Sequence, residues 1–278
     1  MDDAPGVASL PMYDIDELTA DHDALWDAIR VGLLDRGIEA PRRLTRDADA
    51  HALWHDTRLF MSQACGWPLV HELAGKAQVV GTFEYAVGSA AGARYRSQLV
   101  ARRGDSVDWR NLSTSTVAVN SFSSLSGWVS LSDAFDGSPR APRALVESGA
   151  HSASIAAVVD GRADLASIDE VTLALLRRWR PAAVEGVEVV GQGPLIPCLP
   201  LIARHDTPPG TVAALREAFV DALADPASSG ALERLLIVGF HPVDEDHYAS
   251  LPSPPVTSLA RLPLHTSTST GDPAVQSG

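Results

Sequence analysis

Two short segments rich in serine and glycine carry residue types that could hold a small anion. They are 123–127, with the sequence Ser-Ser-Leu-Ser-Gly, and 148–152, with the sequence Ser-Gly-Ala-His-Ser. Each follows a short apolar run typical of a strand and precedes a run with helical spacing. The amino end of a helix presents unpaired N–H groups and a partial positive charge. Hydroxyl groups and an imidazole at two such ends therefore predict a site for a small oxyanion.

The elements that must position these segments alternate along the middle of the chain. Strands are expected at 117–120, 144–147 and 163–168, and helices at 127–135, 152–160 and 169–179. Asp169 stands at the position of a helix N-cap, where a side-chain oxygen accepts a hydrogen bond from a backbone amide. Ligands of α/β folds bind at strand carboxyl ends and helix amino ends, which is where both serine-rich turns are expected.

The flanking parts of the chain show the same alternation. Further strands are expected at 7–12, 78–82, 95–101, 187–190 and 199–203, and further helices at 22–36, 69–74 and 212–223, with a short helix and a strand within 233–240. This alternation predicts an α/β fold with mostly parallel sheets. Glycine-rich residues at 88–92 and a proline- and glycine-rich bend at 191–200 divide the pattern into two lobes. Lobe one is expected at 1–88 and 191–278, with a frayed tail after about residue 265, and lobe two at 89–190.

The composition argues against several classes of protein. The chain of 278 residues has a formal net charge of −13 and no basic tract, which argues against binding of nucleic acid. The sequence contains no run of ~18 apolar residues, the length that could span a bilayer. Its amino terminus lacks the segments of a secretion signal. The chain is therefore expected in the cytoplasm, or outside it if a leader has been removed. Cys65 and Cys198 form neither a disulfide framework nor a metal motif.

Motifs of the common enzyme and cofactor classes do not occur in the sequence. The patterns G-x-x-x-x-G-K-[ST], G-x-G-x-x-G and G-x-S-x-G are absent, and the histidines lack metal-ligand spacing. A cofactor bound through a Schiff base needs a lysine in a desolvated pocket. Lys76, which follows a glycine at the expected start of a strand, is the one lysine of the chain. The sequence thus predicts no cofactor, no metal and no catalytic residue.

Each candidate binding residue also has a structural interpretation. The serines at 124 and 126 could cap a helix, and so could Asp169. His151 could be a surface histidine at the start of a helix. Tyr13, Gln63 and Tyr85 could be packing or loop residues. The occurrence of two similar turns in one block favours an anion site over these separate alternatives.

Four stretches of the chain, taken together, resemble a known family. Residues 123–128 are similar to the Ser-Thr-Ser-Gly-aromatic helix start of the substrate-binding components of phosphate, phosphite and phosphonate ABC transporters. Residues 148–169 resemble the family's Gly-X-His helix and the Ala-Asp-Val-Ala strand after it. Residues 95–100 resemble its outward hinge strand, and 194–200 its return crossover. The resemblance covers most of 7–248 and implies a two-lobed type II periplasmic-binding fold, with hinge closure around a ligand.

The resemblance implies a non-enzymatic protein that binds a small oxyanion such as phosphate, phosphite or a small phosphonate. Its partners would be this ligand and an ABC permease, with no nucleic acid and no insertion into a membrane, and the chain would be a monomer. The ligand contacts expected from lobe two are Ser124, Ser126, Gly127, His151, Ser152 and Asp169. Those expected from lobe one are Tyr13, Gln63 and Tyr85.

Some positions depart from the family pattern. Leu125 replaces the middle hydroxyl residue of the serine-rich turn, and Gln63 stands where the family often has an aromatic residue. Members that bind aminoalkyl phosphonates place acids against the ligand amine. One of those positions is Leu199 here, and another falls near Glu170 or Val171. Because an apolar side chain cannot pair a buried ammonium group, 2-aminoethylphosphonate is not expected as the ligand.

Two other functions fit parts of the pattern. A cytoplasmic sensor would use the closed form to signal to a partner protein. A pyrimidine-precursor synthase on the same fold would need a cofactor lysine in the cleft and usually a metal-binding Cys/His cluster, whereas the sequence has a single lysine and no such cluster. Genes for a permease and an ATPase beside this one would favour transport, and a neighbouring kinase or regulator gene would favour sensing.

Overall fold

A computed structural model describes residues 6–88, 92–132 and 140–251 of the chain. The strands are β1 (Val7–Ser9), β2 (Leu59–Gln63), β3 (Ala77–Tyr85), β4 (Arg94–Arg102), β5 (Thr116–Val119), β6 (Ala144–Glu147), β7 (Leu165–Asp169), β8 (Val187–Pro197), β9 (Pro200–Arg204) and β10 (Ile237–His241). The helices are α1 (Thr19–Asp35), α2 (Ala50–Trp54), α3 (Gly66–His71), α4 (Ser130–Ser132), α5 (His151–Val159), α6 (Glu170–Trp179), α7 (Pro181–Val184), α8 (Pro209–Ala224) and α9 (Ser229–Arg234). A π-helical turn, Leu125–Val129, leads into α4, and 3-10 turns lie at Asp16–Leu18, Pro226–Ser228 and Glu245–Tyr248.

The strands form two five-stranded sheets flanked by helices. The first sheet has the order β1-β2-β9-β3-β10 and the second the order β6-β5-β7-β4-β8. The chain passes from the first sheet to the second between β3 and β4 and returns between β8 and β9. The two crossing segments touch, because the Cys198 amide donates a hydrogen bond to the Ala93 carbonyl at 2.9 Å. The α/β class predicted from the sequence is confirmed.

Both sheets are mixed, which corrects the prediction of mostly parallel sheets. The parallel pairs are β1–β2, β5–β6 and β5–β7. The antiparallel pairs are β2–β9, β3–β9, β3–β10, β4–β7 and β4–β8. Strands joined by a helical crossover run parallel, as in the units around α4 and α5. The strands that carry the chain between the sheets, β3, β4, β8 and β9, enter from the other end and therefore run against their neighbours.

The proline- and glycine-rich bend expected at 191–200 is a strand over most of its length. β8 continues to Pro197, which lies opposite Arg94 of β4, with register shifts along the pair. A Cβ at Gly191 would lie 2.5 Å from Nε1 of Trp109, so this glycine permits close approach of the indole rather than a turn. The predicted lobe boundary between residues 190 and 191 falls inside β8.

Other predicted elements are shifted at their ends. The strand expected at 7–12 is β1, Val7–Ser9, and the helix expected at 69–74 is α3, Gly66–His71. The helix expected at 127–135 begins instead as the π-helical turn at Leu125, and its last predicted residues lie outside the described residues. The frayed tail expected after residue 265 also lies outside them.

The apolar core joins both sheets to their helices. Met61, Phe83 and Leu99, which come from β2, β3 and β4, are fully buried in a single cluster. The helix α1 packs on α8, where a Cβ at Gly32 would lie 3.2 Å from the Cβ of Ala218. No helix in the described ranges combines the length and the apolar character that crossing a membrane requires.

Candidate functional site

Both serine-rich turns line one cavity of about 220 Å³. Most of the residues that form its walls lie at or just after the ends of strands from both sheets. Five of the residues predicted to contact a ligand line it: Tyr13, Ser124, Ser126, His151 and Asp169. The other four predicted contacts are not among its lining residues: Gly127, Ser152, Gln63 and Tyr85. The fold therefore brings together the hydroxyl, imidazole and carboxyl groups that the sequence singled out.

The π-helical turn after β5 supplies the first wall. The Gly127 amide donates a hydrogen bond to Ser124 Oγ at 3.1 Å, so Ser124 both caps this turn and lines the cavity. A Cβ at Gly127 would lie 1.8 Å from Oδ1 of Asn120, so any other residue here would displace the Asn120 side chain. Gly127 thus lies outside the cavity lining and allows Asn120, a lining residue, to pack closely against the turn.

Ser126 is held from two neighbouring strands. Its carbonyl oxygen accepts hydrogen bonds from Ser97 Oγ of β4 at 2.7 Å and from Ser167 Oγ of β7 at 2.6 Å. Its own hydroxyl lies 3.2 Å from Nε2 of His151. Buried hydrogen bonds at the carbonyl fix the position of the peptide that carries this hydroxyl.

The helix α5 supplies the second wall and begins at His151. Gly149 precedes it with a φ of +87°, a left-handed conformation that glycine adopts without strain. The first helical hydrogen bond runs from the Ser154 amide to the Ala150 carbonyl at 2.9 Å, so the amides of 151–153 have no acceptor within the helix. These amides and the His151 ring lie at one end of α5.

His151 is neutral at pH 7. Removal of the ring from water lowers its pKa to about 4. A backbone hydrogen bond to Ser167 raises the pKa and only partly offsets the effect of burial. Because the Nε2 atom pairs with the Ser126 hydroxyl, the two turns present a connected pair of neutral polar groups to the cavity.

Asp169 supplies the carboxyl group of the cavity. It is the N-cap of α6, as the sequence predicts, and its Oδ1 accepts a hydrogen bond from the Thr172 amide at 2.9 Å. Its Oδ2 accepts one from the Tyr13 hydroxyl at 2.9 Å, which ties the segment after β1 to the end of β7. Burial raises the pKa of this carboxyl to about 6. The contact between Asp169 and a ligand stays a prediction.

Gln63 and Tyr85 lie one layer behind the cavity. Gln63 Nε2 donates to the Tyr85 hydroxyl at 3.0 Å, and both side chains are buried. The ring of Tyr85 packs edge-on against the ring of Tyr13, with centroids 5.2 Å apart. The two residues therefore support Tyr13. Ser152 is exposed on α5.

Sequence reasoning missed several residues that line the cavity: Asp49, His51, Trp54, Cys65, Asn120 and Thr172. Two of them carried a readable signal. Asn120 comes directly after β5, at the strand end where ligands bind in such folds. Asp49 precedes a short helix and caps it, because its Oδ1 accepts a hydrogen bond from the Ala52 amide at 3.1 Å. His51 and Trp54 gave no such signal, since their rings reach the cavity only through packing of α2.

The cavity lining contains two carboxyl groups, those of Asp49 and Asp169, but no lysine or arginine. The described part of the chain contains no group of side chains suited to a metal ion. Attraction for an anion must therefore come from hydroxyl groups, the imidazole and helix amides, which bind anions through hydrogen bonds and the helix dipole.

Comparison with known protein families gives one match over most of the chain. Residues 45–248 match the profile of a family described as ABC transporter, phosphonate, periplasmic substrate-binding protein. No curated protein matches the chain.

Several solved structures share the fold. A binding-protein component of an ABC phosphonate transporter from Pseudomonas aeruginosa has a TM-score of 0.67 and 16% identity, over 89% of this chain and 84% of that chain. The protein PhnD1 of Prochlorococcus marinus, in complex with methylphosphonate, has a TM-score of 0.66 and 14% identity, over 88% and 95%. A Xanthomonas citri protein bound to ATP has a TM-score of 0.65 and 17% identity, over 89% and 94%. These similarities confirm the predicted type II periplasmic-binding fold.

Proposed function

Because this chain belongs to the family of periplasmic substrate-binding proteins of phosphonate ABC transporters, we propose that its cavity binds phosphate, phosphite or a small phosphonate. The elements of the first sheet form one lobe and those of the second sheet the other, and the lobes close on the ligand. The chain delivers this ligand to an ABC permease from outside the cytoplasm.

The observation that carries the proposal is the contact between the two helix starts. Ser126 Oγ and His151 Nε2 lie 3.2 Å apart, with the amino ends of the π-helical turn and of α5 beside them. A tetrahedral oxyanion has several oxygens, each of which can accept two or more hydrogen bonds. A hydroxyl, an imidazole and the amides at the start of α5 match that demand better than they match a carboxylate, which has only two oxygens.

The same contact also occurs in enzymes, where a serine beside a histidine forms a nucleophile and its base. In such pairs a third group orients the base. Here no side chain in the part of the chain that the structure describes is hydrogen-bonded to Nδ1 of His151. A pKa of about 4 also makes the imidazole a weak base at pH 7. The pair therefore favours binding without turnover.

A thermal-shift screen tests the proposal directly. Phosphate, phosphite, methylphosphonate, organic phosphates and carboxylates are added separately, with chloride as the matched salt control. A ligand at 100 times its Kd should stabilise the fold by about 2.7 kcal/mol and raise the Tm. We expect a shift with at least one phosphorus oxyanion, and phosphorus NMR should show the ligand unchanged after incubation. No shift with any of them, or conversion of the ligand, would contradict the proposal.

A further inference from the structure

The carboxyl end of α6 contacts the opposite lobe. α6 follows β7 of the second sheet and packs on β4 and β7. Residues 178–180, which are the last two residues of this helix and the one after it, lie against two elements of the other lobe. These elements are the 3-10 turn Asp16–Leu18, which follows β1, and α9, which precedes β10 of the first sheet. Residues 178–180 are not among the residues that line the cavity.

Two arginines form ion pairs across the boundary between the lobes. Arg180 Nε donates hydrogen bonds to both carboxylate oxygens of Glu17, at 2.8 and 2.9 Å, and its Nη2 lies 3.5 Å from Asp16. Arg178 donates to the carbonyl oxygen and to the carboxylate of Glu233, both at 3.0 Å. Because each guanidinium makes two directional bonds, the pairs define the position of one lobe against the other.

The indole of Trp179 lies between two guanidinium groups. Arg234, from α9, lies over its ring with Cζ 3.9 Å from the centroid, and Arg178 lies at 5.2 Å. The indole Nε1 donates to the Arg234 carbonyl oxygen at 3.3 Å. Within its own lobe, Arg234 donates to the Asp21 carboxylate at 2.9 Å and to the Glu17 carbonyl oxygen at 3.0 Å. The lobe of the first sheet thus holds a cation in place for the tryptophan ring of the other lobe, and such a pair is attractive.

The helix α6 connects these contacts to the cavity. It has ten residues and is therefore about 15 Å long. Its N-cap, Asp169, lines the cavity and accepts a hydrogen bond from Tyr13. At the other end Arg180 pairs with Glu17, which lies four residues beyond Tyr13. Both ends of one helix therefore contact the same segment of the opposite lobe, and a movement between the lobes acts on both ends.

We infer that residues 178–180 form a clasp, which favours the closed arrangement of the lobes and so raises the affinity for the ligand from a distance. This inference rests on the proposed function, since it requires closure of the lobes around a ligand. When a ligand binds only to the closed form, its apparent Kd rises as the closed fraction falls. The clasp residues are thus positioning residues and make no contact with the ligand.

Small-angle X-ray scattering of the protein without ligand is the first test. Trp179→Leu keeps an apolar side chain but removes the ring and its N–H, and Arg180→Gln removes the ion pair with Glu17. Each variant should have a larger radius of gyration than the wild type, because more molecules are open. Arg36→Gln is the matched control: it removes the same charge, but Arg36 pairs with Glu217 inside the lobe of the first sheet, at 2.8 Å. A radius equal to that of the wild type in both clasp variants overturns the inference.

Ligand affinity is the second test, with methylphosphonate as the probe in isothermal titration calorimetry at pH 7. The Kd should rise about three- to tenfold for Trp179→Leu and about two- to fivefold for Arg180→Gln, because exposed ion pairs are weak. Saturating methylphosphonate should return both variants to the radius of gyration of the saturated wild type. An unchanged Kd in both variants, or an equal rise in Arg36→Gln, overturns the inference.

A double-mutant cycle tests whether the ion pair itself acts on closure. Glu17→Gln should raise the Kd by about the same factor as Arg180→Gln. Because the two side chains contact each other, the double variant should raise it little further. Two independent losses that multiply in the double variant would overturn the role of this pair. Thermal unfolding of each variant shows that it is folded, so a loss of affinity is not confused with a loss of structure.

The outcomes separate this inference from the proposed function. If methylphosphonate, phosphate and phosphite all fail to bind to the wild type, the proposed function fails, and scattering without ligand still decides whether the clasp holds the lobes together. If they bind with the same Kd to the wild type and to the clasp variants, the function stands and the clasp fails.

Discussion

The pair formed by Ser126 and His151 allows the binding site to be tested quantitatively. Ser126→Ala removes a hydroxyl whose side-chain partner is the His151 ring, at 3.2 Å. In the complex that hydroxyl would donate to a charged oxygen, and such hydrogen bonds contribute about 1.5–3 kcal/mol. We therefore expect the Kd for methylphosphonate to rise about 10- to 150-fold, measured by isothermal titration calorimetry at pH 7.

The double-mutant cycle shows whether the two residues act on the ligand together. His151→Ala should weaken binding by a similar factor. Because the two side chains contact each other, the double variant should lose less than the sum of the single losses, by about 0.5 kcal/mol or more. Full additivity would mean that the contact plays no part in binding.

A serine outside the cavity provides the control for these losses. Ser154 lies on α5 near His151, and its hydroxyl bonds to Ser148 Oγ at 2.7 Å. Ser154→Ala should lower the free energy of unfolding by about 1 kcal/mol, the usual contribution of one hydrogen bond, without changing the Kd. A Kd of Ser126→Ala within twofold of the wild type, in a protein that still binds methylphosphonate, would refute the assignment of the site.

Three further predictions concern the support of the cavity. Gly127→Ala would place a Cβ 1.8 Å from Oδ1 of Asn120, so we expect a loss of about 1–3 kcal/mol in stability and weaker binding; an unchanged Tm and Kd would contradict this. Tyr13→Phe removes a hydrogen-bond donor to the buried Asp169. It should lower the free energy of unfolding, measured by chemical denaturation, by about 1–3 kcal/mol. Because the folded-state pKa of Asp169, about 6, exceeds its unfolded value, this group makes the wild type less stable as the pH rises from 4 to 6. Asp169→Asn removes that penalty. The free energy of unfolding of the variant, relative to that of the wild type, should therefore be about 2–3 kcal/mol higher at pH 7 than at pH 4. An equal difference at both pH values would contradict this prediction.

The sequence predicted the elements whose signals are local. The position of Asp169 before a helical run predicts an N-cap, and its side chain accepts a hydrogen bond from the Thr172 amide. Apolar runs of strand length precede the two serine-rich turns and predict that each turn follows a strand, as they do after β5 and β6. Such assignments succeed because capping and periodicity depend on a few neighbouring residues.

Features that depend on distant residues could not be predicted in this way. The composition predicts a bend at Gly191, whereas this residue lies in β8, where the Trp109 indole approaches its backbone closely. The mixed sheets have the same origin, since strand direction is set by where the chain crosses between sheets. The hydrogen bond from Tyr13 to Asp169 joins residues 156 positions apart, and no sequence period indicates it.

The central claim is that this cavity binds a phosphorus oxyanion, and phosphorus NMR of methylphosphonate tests it most directly. The protein is titrated into the ligand at pH 7, with Ser126→Ala measured in parallel. We predict a shifted or broadened phosphorus resonance that saturates at one ligand per chain, and a much weaker effect with the variant. A resonance that stays at its free position at equimolar protein, with phosphate and phosphite equally inert in competition, would contradict the account.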